Sequence, residues 1–177
     1  PADDPGPFRA YFEVPRGQVS GGEFYRLPFP NDIRLKNGRV DLSGHPDPGE
    51  LVPGQVVTKY IDAIEAENDG FGLNTTAYVR FSAPVGFSTL SLSGDAPSIR
   101  LVNIDPSSPG YGNRHSAIAF AASSGRGKYI CHNWLGIPPM QGYPLAHGTT
   151  YALIFTSDVA SDASELIERD TDFEAML

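Results

Sequence analysis

Residues 69–90, DGFGLNTTAYVRFSAPVGFSTL, restrict the fold more than any other stretch. Ala77, Val79 and Phe81 fall on one side of an extended chain, and Tyr78, Arg80 and Ser82 on the other. That period of two predicts a half-buried antiparallel strand. Asp69-Gly70 supplies a turn before it, and Ala83-Pro84 ends it because proline has no N–H for a ladder. A strand with one apolar face needs neighbours, and the remaining chain supplies candidates.

Residues 8–14 (FRAYFEV) alternate Phe8, Ala10, Phe12 and Val14 against Arg9, Tyr11 and Glu13, a second predicted strand. Pro15 ends it, and Gly17 with Gly21-Gly22 marks a loop. Residues 24–32 (FYRLPFPND) set two prolines among aromatics, which suits an extended segment across the mouth of a core. In residues 33–42, Asn37-Gly38 lies between Ile33/Leu35 and Val40/Leu42, the signature of a type I′ hairpin, with a loop at 43–49. Further strands are predicted at 98–104, 116–122, 128–135 and 149–157, separated by turns at 105–113 and 123–127. Pro138, Pro139 and Pro144 predict that 136–147 crosses between strands without joining a ladder.

One helix stands out. Val56, Val57, Tyr60, Ile61 and Ile64 recur at helical spacing, with Lys59, Asp62, Glu65 and Glu67 on the wet side. Asn68-Asp69-Gly70 stops it, so a helix near 55–67 is expected to pack across an open end or edge of the sheets. Residues 161–177 read as an acidic, helix-prone tail leading into a further C-terminal region, with Leu166, Ile167, Phe173, Met176 and Leu177 as its apolar groups. Residues 1–7 read as a flexible linker left after processing.

The 19 Gly and 16 Pro fit many turns between short strands, while ten Phe, eight Tyr and one Trp argue against disorder. A net charge of -8 argues against a nucleic-acid partner, because phosphate neutralisation needs a basic face. The single cysteine excludes an internal disulfide and any zinc site built on two or more cysteines. No apolar run approaches the roughly 18 residues that span a bilayer. These features predict an exported chain, secreted or held at the cell surface with or without a lipid anchor.

Chemistry finds little purchase in the motifs. Ser124-Gly125 lies in a glycine-rich turn and lacks the G-x-S-x-G elbow of a serine hydrolase. Cys131 and His132 are adjacent in a predicted strand, so their side chains should point to opposite faces. His45, His115 and His147 sit in separate turns without metal-ligand spacing. Gly125-Arg126-Gly127-Lys128 has Ala122 and Tyr129 where a phosphate loop needs glycine and Ser or Thr. Gly70-Phe71-Gly72 and Gly110-Tyr111-Gly112 lack the third glycine of a dinucleotide fingerprint and read as turns. Calcium is the one cofactor with candidate ligands: Glu67 with Asp69, or Asp105 with Asn113, against the plainer reading that these residues cap turns. Asn74-Thr75-Thr76 matches a glycosylation acceptor, relevant only in a eukaryotic secretory host. Tyr25, Phe29, Tyr111, Tyr129, Trp134 and Tyr143 are candidates for a carbohydrate- or protein-binding face, against the plainer reading of lids over a core.

Three stretches are similar, in order, to one family. Leu27-Pro28-Phe29-Pro30-Asn31-Asp32 with the Asn37-Gly38 turn resembles an "LPFPND…DG" opening. Residues 69–84 resemble a "DGFS…FS.P" pattern, and residues 144–154 (PLAHGTTYALI) resemble the closing strand of bacterial Ig-like surface domains. Together they resemble the N-terminal β-sandwich of bacterial extracellular (virulence-factor) lipase-like proteins and related surface lipoproteins, over roughly residues 24–160. In that family the hydrolase follows downstream with its own serine motif, so the resemblance implies an accessory module and carries no catalytic residue over.

The expectation is a mainly β chain: an Ig-like antiparallel β-sandwich over 8–160 with an N-terminal hairpin extension and one or two short helices. Its expected role is a non-catalytic spacer, adhesion or partner-binding module. The alternative is the accessory fragment of an extracellular lipase or esterase whose catalytic domain lies beyond Leu177. No catalytic, cofactor or metal residue is assigned, and a protein or cell-surface partner is the expected ligand class.

Overall fold

The computed structural model describes residues 6–17, 24–47, 55–117, 121–123 and 125–177. Among these, the strands are β1 (Leu35–Lys36), β2 (Arg39–Val40), β3 (Ala77–Arg80), β4 (Ile99–Asn103), β5 (Arg114–His115), β6 (Ala121–Ser123), β7 (Trp134–Ile137) and β8 (Tyr151–Phe155). The helices are α1 (Val56–Glu67) and α2 (Thr171–Glu174). β1 and β2 form the Asn-Gly hairpin, and the other strands form two antiparallel sheets ordered β3-β7-β6 and β5-β4-β8. The chain is therefore β-rich and antiparallel.

Alternation explains where the core sits. β3 and β7 pair Ala77 with Ile137 and Val79 with Leu135, so these side chains share one face. β4 and β8 pair Ile99 with Phe155 and Leu101 with Leu153. Val79, Leu135 and Ile137 of the first sheet meet Ile99, Leu101, Leu153 and Phe155 of the second in one apolar cluster, together with Phe8, Val85, Ala117 and Val159. Phe81 joins them, stacked on Phe8 at 5.6 Å and edge-on to Phe155 at 5.8 Å. A second cluster forms where Ile61 and Ile64 of α1 meet Phe24, Val40 and Leu42 beside the hairpin.

The hairpin and the helix follow their local signals. Asn37 and Gly38 have φ of 52° and 74°, the positive pair that a type I′ turn requires. Ile33 lies outside the strand, because the Asn31 side chain accepts from its N–H (3.0 Å) and starts a 3-10 turn at Asp32–Arg34. The N–H of Asn68 closes α1 on the Ile64 carbonyl (2.9 Å). Tyr60, expected on the apolar stripe, is instead 68% exposed, because the contact stripe is narrower than the sequence pattern.

Three of the expected strands need correction. Residues 8–14 make only single bridges, Ala10 to Phe81 and Arg9 to Glu168, and Tyr11 is buried although the alternation put it on the wet side. The strand expected at 128–135 begins only at Trp134, after Asn133 takes a left-handed φ of 58°, and it continues to Ile137 before Pro138-Pro139 ends it. Of the strand predicted at 116–122, only Ala121 and Ala122 are in a strand among the described residues, in β6, which pairs with β7; β5 forms just before that stretch, at Arg114–His115, and pairs with β4 in the other sheet. Part of that stretch, 118–120, lies outside the described residues, as do most of the expected linker at 1–7, the Gly21-Gly22 loop and Ser124.

The tail is helical only at Thr171–Glu174, where the Asp170 carboxylate caps the N–H of Asp172. Upstream it is extended and tied to the body. The N–H of Glu168 donates to the Phe8 carbonyl (2.7 Å), and that of Ile167 to the Val159 carbonyl (2.9 Å). Backbone bonding to earlier segments outweighs local helix propensity here.

Candidate functional site: an aromatic belt over two buried arginines

β3 shows two buried faces. Val79 and Phe81 enter the core, while on the opposite face Arg80 is only 3% exposed. The half-buried strand expected from alternation is therefore corrected, because two further segments cover it. The 24–30 segment crosses one end, where Phe29 and Tyr78 exchange both backbone hydrogen bonds (3.0 and 2.7 Å). The 9–11 segment covers the other, with Tyr11 N–H donating to the Arg80 carbonyl and Ser82 N–H to the Arg9 carbonyl.

Pairing places Tyr78 opposite Gly136 and Arg80 opposite Trp134. A Cβ on Gly136 would sit 3.3 Å from Trp134 Cζ3 and 3.4 Å from Tyr78 Cε1, so this glycine makes room for the two rings. From there the rings continue in contact. Tyr78 meets Trp134 at 5.7 Å and Tyr25 at 6.0 Å, and Tyr25 meets Phe29 at 6.4 Å. Phe29 meets Phe71 at 5.5 Å, and His45 meets Phe24 at 5.0 Å and Tyr129 at 6.4 Å. Offset and edge-on contacts of this kind add about 0.5–1.5 kcal/mol per pair beyond area burial.

A cation lies under each end. Arg34 is 2% exposed, with its guanidinium 3.7 Å above the Phe24 ring and donating to the carbonyls of Phe24 (3.2 Å) and Ser43 (3.3 Å). Its Nε has no hydrogen-bond partner among the described residues. Arg80 donates Nε–H to the His132 carbonyl (3.3 Å), and its Nη1 has no partner among the described residues. Arg80, Arg9 and Arg26 all approach the Tyr11 ring, at 5.4, 5.5 and 4.1 Å. Glu13 answers this positive charge by pairing with Arg26 through both carboxylate oxygens (2.6 and 2.7 Å).

Burial favours the neutral forms of Tyr25 and His45. Burial, reinforced by Tyr78 and opposed by Arg34, pushes the Tyr25 hydroxyl up to about 12. Burial and the nearby Arg34 charge hold the His45 imidazole below its usual 6.5. The Tyr25 hydroxyl and His45 Nε2 approach at 3.4 Å, a long contact whose direction is set by the imidazole tautomer. The surface thus offers ring faces and edges, with polar tips at Tyr25, Tyr129 and Trp134, over a positive interior. Such a surface suits stacking against sugar rings or apolar side chains.

Of the six aromatics singled out from sequence, Tyr25, Phe29, Tyr129 and Trp134 converge here, with Tyr129 43% exposed. Tyr111 lies apart in the 105–113 turn, and the Tyr143 carbonyl accepts from Nε2 of His115 (2.9 Å), a residue of β5 in the other sheet. His115 also packs edge-on to Tyr151, and His147 is exposed in the turn before β8. Cys131 is buried and His132 half-buried in the irregular stretch before β7, so the strand geometry expected for this pair does not apply.

Among the calcium candidates, the Asp105 carboxylate caps its own turn, accepting from Ser107 N–H (2.8 Å) and Oγ–H (2.7 Å). The Asn113 carbonyl accepts from Asn103 N–H, the Glu67 carbonyl accepts from Arg39, and Asp69 is exposed in the turn after α1. Among the described residues no group of three or more His, Cys, Asp or Glu side chains is placed to hold a metal ion, and no helix is long and apolar enough to cross a membrane. Asn74 is exposed.

Sequence reasoning missed Arg34, Arg80, Tyr11, Tyr78 and His45. The one available signal was on β3, whose supposed wet side carries a tyrosine in a chain rich in Pro-flanked aromatics with few charges to cover it. Comparison with protein-family models, with curated proteins and with solved structures found no match.

Proposed function

We propose that this chain is a non-catalytic module of an exported protein, an Ig-like antiparallel β-sandwich that binds a protein or cell-surface partner through its aromatic belt. The observation that carries this reading is the convergence of Tyr25, Phe29, Tyr129 and Trp134 with Tyr78 and His45 into one ring-to-ring surface. Three of these come from segments distant in sequence, and close packing alone would have been met as well by aliphatic residues. A sandwich is supported by the shared core, to which Val79 and Leu135 contribute from one sheet and Ile99 and Leu153 from the other.

Trp134 is the only tryptophan, so its fluorescence reports on the belt directly. Titration with cell-envelope polysaccharides and with peptides from envelope proteins is expected to shift Trp134 emission for one class. Tyr129→Ala is expected to weaken that binding about tenfold while leaving stability within about 0.5 kcal/mol. Binding unaffected by Tyr129→Ala and Trp134→Ala would remove the belt as the site. Ester hydrolysis by this chain alone would sink the non-catalytic reading.

A further inference from the structure

The two outer strands β3 and β8 end differently. The outer edge of β3 is covered by the 9–11 and 24–30 segments, whereas among the described residues β8 pairs only with β4. Thr156 N–H donates to the Ser98 carbonyl and Ile104 N–H to the Thr150 carbonyl (both 2.9 Å). These bonds fix the even-numbered residues of β8 as the ones bonded to β4, since antiparallel bonding alternates. The N–H and C=O groups of Tyr151, Leu153 and Phe155 therefore point to the other side, where they make no hydrogen bond among the described residues. This edge, Tyr-Ala-Leu-Ile-Phe, holds no charge, proline or glycine, the usual devices against strand addition.

We propose that β8 is a self-association edge, on which a second copy of this chain adds its own β8 antiparallel, centred on Leu153. That register is self-complementary. Leu153 faces Leu153 of the second copy and Tyr151 faces Phe155, so every outward N–H meets an outward carbonyl and the two-fold axis is satisfied. On the outer face Ala152 falls opposite Ile154, a small residue against one that is 40% exposed in the single chain. The nearest carboxylate beyond the strand, Asp158, falls opposite Gly148, so no like charges oppose each other. The product is one sheet ordered β5-β4-β8 and then the same strands reversed. The aromatic belt, on the other sheet, remains free in each copy.

Sedimentation equilibrium of the full chain from micromolar to millimolar concentration tests this. The expected mass rises from 19.0 kDa to twice that value and no further. Ile154→Glu, placed beside Arg100 of β4 and so tolerated in the single chain, is expected to weaken the dimer about tenfold or more, because it replaces the Ile154–Ala152 contact with a carboxylate over Ala152 and sets the two carboxylates diagonally, about 7–8 Å apart. Under mild oxidation Leu153→Cys is expected to cross-link to itself, since its register partner lies at about 5.5 Å between Cα atoms. Ile154→Cys, which faces Ala152, is expected not to cross-link, and the parent chain controls for Cys131. A mass fixed at one chain, a dimer indifferent to Ile154→Glu, or cross-linking at 154 in place of 153 would each overturn the proposal.

Discussion

The two three-stranded sheets invite comparison, because they share one core and differ in everything outside it. The outward face of β3 and β7 carries Tyr78, Arg80 and Trp134, and the chain lays the 9–11 and 24–30 segments against that sheet. The corresponding face of β4 and β8 carries Arg100, Val102, Ala152 and Ile154, and among the described residues no extended segment hydrogen-bonds along it as those two do along β3. Aromatic rings on the first sheet offer enough area to hold extended segments that have no ladder of their own. The aliphatic and charged second face does not, so its edge strand stays open. The difference teaches that cover is recruited by large rings, and that what stays uncovered is where a partner strand finds backbone groups to bond.

The largest expected effect breaks what the sheets have in common. Phe81→Ala removes a fully buried ring that touches Phe8 and Phe155, and should cost about 3–5 kcal/mol in urea unfolding. Next comes the covered face of the first sheet. Arg80→Ala should cost about 3 kcal/mol, whereas Arg80→Met should fall within about 1 kcal/mol of the parent. The reason is that Arg80 is buried with an Nη1 unpartnered among the described residues, so a well-packed apolar chain recovers the packing without the desolvation. If Met proved as damaging as Ala, the guanidinium itself would be what holds Tyr11 over the sheet.

A smaller effect is expected at Gly136. Alanine there meets Thr76, Trp134 and Tyr78 at 3.3–3.4 Å, and should cost about 1–2 kcal/mol with a shift in Trp134 emission. A substitution on the open face, such as Val102→Thr, should leave that emission unchanged. The smallest effect is electrostatic. His45 has a folded-state pKa below its unfolded value near 6.5, because burial disfavours the imidazolium. The unfolded chain therefore binds the proton first as pH falls. The stability that the neutral ring contributes is complete above about pH 6.5 and is lost as pH falls toward the folded value. A thermal-melt series should show this acid-side decline shrinking in His45→Gln. An unchanged slope would show that His45 titrates as freely as in the open chain.

Local signals made part of this legible. The Asn37-Gly38 turn, the 56–67 helix and the cores of β3, β4 and β8 were each readable from a few adjacent residues, because turn dihedrals and side-chain periodicity are local properties. The belt was half legible. Pro-flanked aromatics drew notice to Tyr25, Phe29, Tyr129 and Trp134, but nothing in residues 128–135 showed that Asn133 would break the extended chain and delay the strand to Trp134. Arg80 was placed on the outer side of its strand and Arg34 was not singled out, for the ordinary reason that arginine is seldom buried. Tyr111 and Tyr143 carried the same sequence signal as the belt residues and lie elsewhere, since proximity in space is not a property of composition.

The sequence by itself determined that this chain is β-rich and antiparallel, where it turns, where β4 and β8 run, and which side chains of β3 share one face. These follow from proline, glycine and a period of two. Tertiary structure alone decided that the 9–11 and 24–30 segments cover one sheet and leave the other's edge free, and that the acidic tail bonds back to Phe8 in place of forming a long helix. Each is a competition between segments far apart in the chain for the same backbone hydrogen bonds and the same apolar area. That competition is settled by which set of contacts buries the most at once, a comparison no local stretch of sequence contains.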